Sequence, residues 1–253
     1  PAAPMRAARP VAPAAGDKDA HDALNAASDV DLTYASTEPI ESPMSLGLSY
    51  STSRPVLIVD DGTDLTAQLA GALNGAKVIV LTFGAKSASP ISGATRVHVA
   101  DRTEAALEKC IAEVAKSHGA PGGFIYQHSA LDAKSSDDHS QLRWAMLAAK
   151  HISPHLATPV AGGRPFFVGL AKSGNGGRLG VHNAGPAGLG AFDKHSPELV
   201  LAAQRGAIFG LCKTLALEWG ARGVLCRGVD LDDALSAPAA ARHVAAELQC
   251  ADG

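Results

Sequence analysis

Aromatic residues are scarce: six Phe, three Tyr and two Trp make up 4% of 253 positions. A core with so few rings must be built from aliphatic side chains and close backbone approach. The abundant Ala and 26 Gly suit tight packing of helices on a sheet. A charge excess is also lacking, with 22 Lys and Arg against 25 Asp and Glu and a net charge of −3. That balance excludes an electrostatic footprint for nucleic acid or an anionic membrane. Charged residues are only 19% and apolar ones 46%, which is globular composition. The four cysteines, Cys110, Cys212, Cys226 and Cys250, form no C-x-x-C pair and have no histidine at zinc spacing. They read as buried or free reduced thiols of a cytoplasmic protein, with no metal site. No apolar run reaches the length of a membrane span. The chain starts on Pro, and its Ala/Pro-rich start has no signal-peptide core. We read that start as a cut into a longer polypeptide.

What is present divides at about residue 53. Residues 1–53 open on PAAPMRAARPVAPAAG, whose prolines fix φ and remove donors, and continue polar and rich in Ser and Thr. The pattern predicts a disordered linker, with at most one short helix near 17–27. From Arg54, β-branched runs alternate with Ala/Leu-rich stretches. Strands are expected at 55–61, 77–83, 95–101, 122–128, 164–172 and 224–231. Helices are expected near 64–74, 103–118, 137–152, 196–219 and 237–249. The strand runs are continuous in hydrophobicity, as strands covered on both faces must be. Strands separated by helices require right-handed crossovers, hence a Rossmann-like, doubly wound parallel sheet with helices on both faces. The expected strand order is 3-2-1-4-5-6.

Such a sheet offers a dinucleotide site at its first strand–helix turn, where glycines admit the pyrophosphate to a helix N-terminus. Here the turn reads Asp60-Asp61-Gly62-Thr63-Asp64, with one glycine and three aspartates. Two like charges about 4 Å apart repel by roughly 4 kcal/mol at an effective dielectric near 20. The turn therefore reads as an Asp-capped helix start and not as a cofactor site. A second cluster, Gly185-Pro186-Ala187-Gly188-Leu189-Gly190, follows the fifth strand and not the first; the whole 173–192 stretch reads as a surface or substrate-side loop. His128, His139, His151 and His155 crowd one region, but Pro154 is expected to end the helix between the last two. They read as surface or capping residues, and Asp137-Asp138 as acids complementing the start of the fourth helix. Leu199, Ala203, Ile208, Leu211, Leu215 and Leu217 read as the core face of the long helix, with Trp219 anchoring its end.

One segment is more specific. The run Gly206-Ala207-Ile208-Phe209-Gly210-Leu211-Cys212-Lys213-Thr214-Leu215-Ala216-Leu217-Glu218-Trp219, followed by Arg227-Gly228-Val229-Asp230-Leu231-Asp232, resembles the ketoreductase region of polyunsaturated fatty acid and polyketide synthases. These belong to the short-chain dehydrogenase/reductase superfamily. The strand Phe124-Ile125-Tyr126-Gln127-His128-Ser129-Ala130-Leu131 and the helix end Leu147-Ala148-Ala149-Lys150-His151 are similar to it too. The resemblance covers about 54–253. It implies two Rossmann-like halves: a structural one, and one that binds NADPH and reduces a β-ketoacyl group on an acyl carrier protein. The front linker, and a C-terminus near the expected junction, match an excised structural half.

The superfamily's catalytic group is a Tyr that protonates the carbonyl oxygen, with a Lys four residues later and a Ser that holds substrate. In this sequence the resemblance puts the Tyr position at about Leu201 and the Lys position at about Arg205. Ser173 matches the Ser position, and Lys150 stands where synthase ketoreductases can place a lysine. The strand-four Asn-Ala-Gly is replaced by Gln127-His128-Ser129. Only Tyr34, Tyr50 and Tyr126 exist, the first two in the expected linker, and none precedes a Lys by four positions. The expectation is a structural domain with no catalytic, cofactor-binding or metal residues of its own. It would partner an NADPH-binding catalytic subdomain and acyl carrier domains of one synthase. The alternative is a divergent reductase that reduces a β-ketoacyl thioester with NADPH, using Ser173, Lys150 or an imported residue.

Overall fold

The computed structural model describes residues 50–83, 90–128, 140–158, 163–172, 197–232 and 234–249; the side chains of 197–202 are outside that description. Six strands form one all-parallel sheet: β1 (Val56–Val59), β2 (Val78–Phe83), β3 (Ala94–Val99), β4 (Gly123–Gln127), β5 (Phe166–Ala171) and β6 (Leu225–Asp230). Their order is β3-β2-β1-β4-β5-β6, as expected. The helices are α1 (Asp64–Ala72), α2 (Glu104–His118), α3 (Ser140–Leu156), α4 (Pro197–Trp219) and α5 (Ala237–Glu247). Every residue of β1, β4 and β5 is buried, because helices cover both faces. That double burial is why these strands carry no alternating polar positions.

Alternate strand residues feed two apolar layers. Leu57, Ile79, Phe124 and Phe167 pack beneath α2, α3 and α4. Val56, Ile58, Val80 and Val168 pack beneath α1 and α5, which lie side by side. Helix α4 presses closest to the sheet. Gly169 on β5 and Gly228 on β6 are register partners. A Cβ on Gly169 would lie 2.6 Å from Ile208 Cγ2 and 2.8 Å from Cys212 Sγ. One on Gly228 would overlap the Phe209 ring. The two glycines form a trough in which α4 lies.

Three expectations are corrected. Tyr50, placed in the linker, is 6% exposed, bridges to Arg164 and meets the Phe166 ring edge-on at 6.0 Å. Burial of an aromatic side chain outweighs the polar composition around it. On α4 the buried series is Gln204, Ile208, Phe209, Cys212, Leu215 and Trp219, while Ala203 is exposed and Leu217 is 86% exposed. The trough fixes the helix rotation, and the buried stripe is narrower than expected. Helix α3 also runs through Pro154 to Leu156, so His151 and His155 share one helix. The proline forgoes the bond to the carbonyl four residues earlier, but only two residues of helix follow it, so little of the helix is disrupted. The 1–49 segment, with Tyr34 and the 17–27 helix, lies outside the described residues. So do Ser129, Asp137, Asp138, His139, the 173–192 loop and Cys250.

Candidate functional site

The strand order reverses between β1 and β4, and α1 and α3 leave on opposite faces of the sheet. In doubly wound sheets, ligands bind in the crevice this reversal opens beyond the strand ends. Here the β1–α1 turn is closed by its own carboxylates. Asp60 accepts from the Gly62 backbone N–H at 3.0 Å and from the Thr66 hydroxyl at 3.0 Å. Its other oxygen faces Arg96 of β3 at 3.4 Å, with both side chains largely buried. Asp61 accepts from the Thr63 backbone N–H at 3.0 Å and from its hydroxyl at 2.8 Å. Gly62 has φ +77°, the left-handed region that favours glycine, and this lets the chain fold its amides back onto the carboxylates. The cap of α1 is Thr63, whose hydroxyl oxygen accepts from Leu65 N at 3.2 Å. This corrects the expected Asp cap: the aspartates serve the turn and the threonine serves the helix.

From the other side of the reversal, Gln127 at the end of β4 is 3% exposed. Its Nε2 donates to Val59 O and to Thr66 Oγ1, each at 2.9 Å. The amide thus bridges β4, β1 and α1. Its Oε1 is buried without a partner, which costs about 1–3 kcal/mol. Beside it, Tyr126 donates its hydroxyl to Gln141 O at 2.7 Å. Trp144 meets Phe83 edge-on at 4.5 Å, and the Arg102 guanidinium lies 5.3 Å above the Phe83 ring. Together with Asp60 these side chains wall a shallow crevice.

A pyrophosphate here would need free amides at the helix start. The Gly62 and Thr63 amides are held by carboxylates, which would repel a phosphate, and Gln127 fills the gap that a ligand would enter. The described residues do not fit a dinucleotide at this turn. Arg96 could not be found from local pattern, because it meets Asp60 across 36 positions of chain. The Asp-x-Thr spacing of Asp61 and Thr63 was the available signal for the turn.

The other candidates are dispersed. Lys150 on α3 is exposed and donates to Glu104 of α2 at 2.6 Å. His151 Nε2 meets the same oxygen at 3.1 Å. The Lys150 and His151 contacts hold the Glu104 carboxyl below its usual range, and Glu104 raises Lys150. Lys150 is therefore an inter-helix tie. His155 is lowered by burial and then by the Arg54 charge. It does not share a ligand with His151. Arg205 is half-buried on α4, Leu201 lies on the same helix, and Ser173 is outside the described residues. Cys110, Cys212 and Cys226 are buried, and among the described residues no cluster of three or more His, Cys, Asp or Glu could hold a metal.

Solved structures share this architecture. An NADH-dependent reductase complexed with NAD superposes with TM-score 0.59 at 10% identity, over 78% of this chain and 88% of that one. The apo form of LigO from Sphingobium sp. strain SYK-6 gives 0.57 at 12%, over 78% and 79%. A short-chain type dehydrogenase/reductase from Mycobacterium ulcerans gives 0.50 at 16%, over 73% and 69%. The fold is that of the short-chain dehydrogenases and reductases. In sequence, the chain is 37% identical over 227 residues to a polyunsaturated fatty acid synthase polypeptide from Thraustochytrium sp.. The match takes in 88% of the chain and 8% of that polypeptide, so the chain corresponds to one short region of a far longer protein. No family profile matches the chain. The chain has the fold of those reductases and is similar in sequence to one region of that synthase.

Proposed function

We propose that this domain is the structural half of a β-ketoacyl-carrier-protein reductase region in a multifunctional polyunsaturated fatty acid or polyketide synthase. In this reading, NADPH and the proton-donating tyrosine belong to a second half, against which this one packs within the cytoplasmic enzyme. Acyl carrier domains of the same polypeptide bring the substrate. The observation that carries the proposal is the fate of the tyrosines. The sequence holds three, none with a Lys four positions on. Tyr126 spends its hydroxyl on Gln141 O, and Tyr50 is packed against Phe166. The similarity to a synthase polypeptide supports the setting, and the carboxylate-filled turn supports the absence of a dinucleotide.

The test is steady-state reduction of a β-ketoacyl thioester, followed by nicotinamide absorbance. The chain alone should consume no NADPH, and activity should appear when the following stretch of the synthase is supplied. Turnover by the chain alone would overturn the proposal. Among the described residues no helix is long and apolar enough to cross a membrane.

A further inference from the structure

We propose that the chain's own side chains close the first strand–helix turn at the strand reversal in place of a ligand, leaving open only the shallow crevice they wall. Asp60 and Asp61 take the positions a phosphate would take at the α1 N-terminus, and Gln127 takes the gap between β1 and β4. This lock holds the strand ends closed with no bound molecule. It rests on the reading that the nicotinamide cofactor is bound by another part of the enzyme.

Three backbone N–H groups of the turn and helix start have side-chain acceptors from the turn itself. A helix start presents unpaired N–H groups and the positive end of its dipole, equivalent to roughly half an elementary charge. At a phosphate-binding turn those groups wait for the ligand. Here Gly62 N–H goes to Asp60, Thr63 N–H to Asp61, and Leu65 N–H to Thr63 Oγ1. The Asp60 charge is itself compensated by Arg96, which reaches over from β3. Opposite, the Gln127 amide joins the Val59 carbonyl at the end of β1 to the Thr66 hydroxyl of α1. Thr66, 1% exposed, is the hub, because its hydroxyl also meets both aspartates. Four elements (β1, β3, β4 and α1) are thereby closed through side chains. A shorter residue at position 127 could not span from β4 to Val59 O, so the crevice depends on the length of the glutamine.

The experiment uses the full chain, the double variant Asp60→Ala/Asp61→Ala, and Gln127→Ala. Thermal melting is followed with and without inorganic pyrophosphate at fixed ionic strength. Hydrogen exchange reads the Gly62 and Thr63 amides. For the native chain, the expected result is a melting temperature that pyrophosphate leaves unmoved and protection of both amides. Each variant should melt several degrees lower. In the double variant the two amides should exchange faster by about tenfold or more. If the double variant does not fold, Asp61→Asn provides the same exchange readout at Thr63, because its amide oxygen is a weaker, uncharged acceptor. Unchanged melting and exchange in the variants would overturn the lock. So would stabilisation of the native chain by pyrophosphate. Neither result bears on turnover, so failure of the lock is separable from failure of the functional reading.

Discussion

A tyrosine in this chain is defined by what its hydroxyl touches. Tyr126 is 3% exposed and tied to Gln141 O, so Tyr126→Phe should cost about 1 kcal/mol. A lower urea midpoint at unchanged slope would show it. The thiols behave in the same local way. Burial pushes Cys110 and Cys212 up to about 11, and burial together with neighbouring Cys212 pushes Cys226 up to about 12. These folded values lie above the unfolded thiol's value of about 8.5. The stability they contribute is therefore complete below that value and is lost as pH rises through it towards 11–12. Urea midpoints should fall across that alkaline window and stay flat near neutrality on account of these groups. Alkylation by iodoacetamide at neutral pH should label none of the three until the chain is unfolded.

At the scale of elements, α3 is fastened at its end by one guanidinium. Arg54 Nη1 donates to His155 O at 3.3 Å, in the last turn of the helix, and to Thr158 O at 3.2 Å, just beyond it. Arg54→Ala should cost about 0.5–1.5 kcal/mol. It should also move the His155 titration upward, because one of the two influences lowering it is the Arg54 charge. An NMR titration of the ring would read this, and an unmoved His155 would contradict it. The elements themselves were legible in the sequence, because continuous apolar runs between Ala/Leu-rich stretches admit one arrangement. Helix rotation was not: Leu217 reads as core by composition, and only the Gly169–Gly228 trough determines that Cys212 faces inward instead. The acidic turn was legible as unsuited to phosphate from Asp60 and Asp61 alone. The partners that make it a closed unit, Arg96 and Gln127, come from β3 and β4 and leave no local pattern.

For the whole molecule, the sheet has the fold of the reductases it superposes on, while among the described residues the carboxylates of the first turn and the Tyr126 hydroxyl are engaged within the domain. The spacing of the three tyrosines was legible without coordinates, since none has a Lys four positions on. The bridging role of Gln127 was not, because it depends on two strands being adjacent in space. The packing under α4 also bears on the order of events in folding. Its trough has no existence in either strand alone; it forms when Gly169 and Gly228 come into register. We expect docking of α4 through Ile208, Phe209 and Cys212 to follow the pairing of β5 with β6, with that pairing as the rate-limiting step. A methyl group added at Gly169 would be felt after the rate-limiting barrier, not before it. Gly169→Ala should accordingly destabilise by about 1–3 kcal/mol through overpacking, and most of that loss should appear as faster unfolding in a chevron analysis, with the refolding limb nearly unchanged.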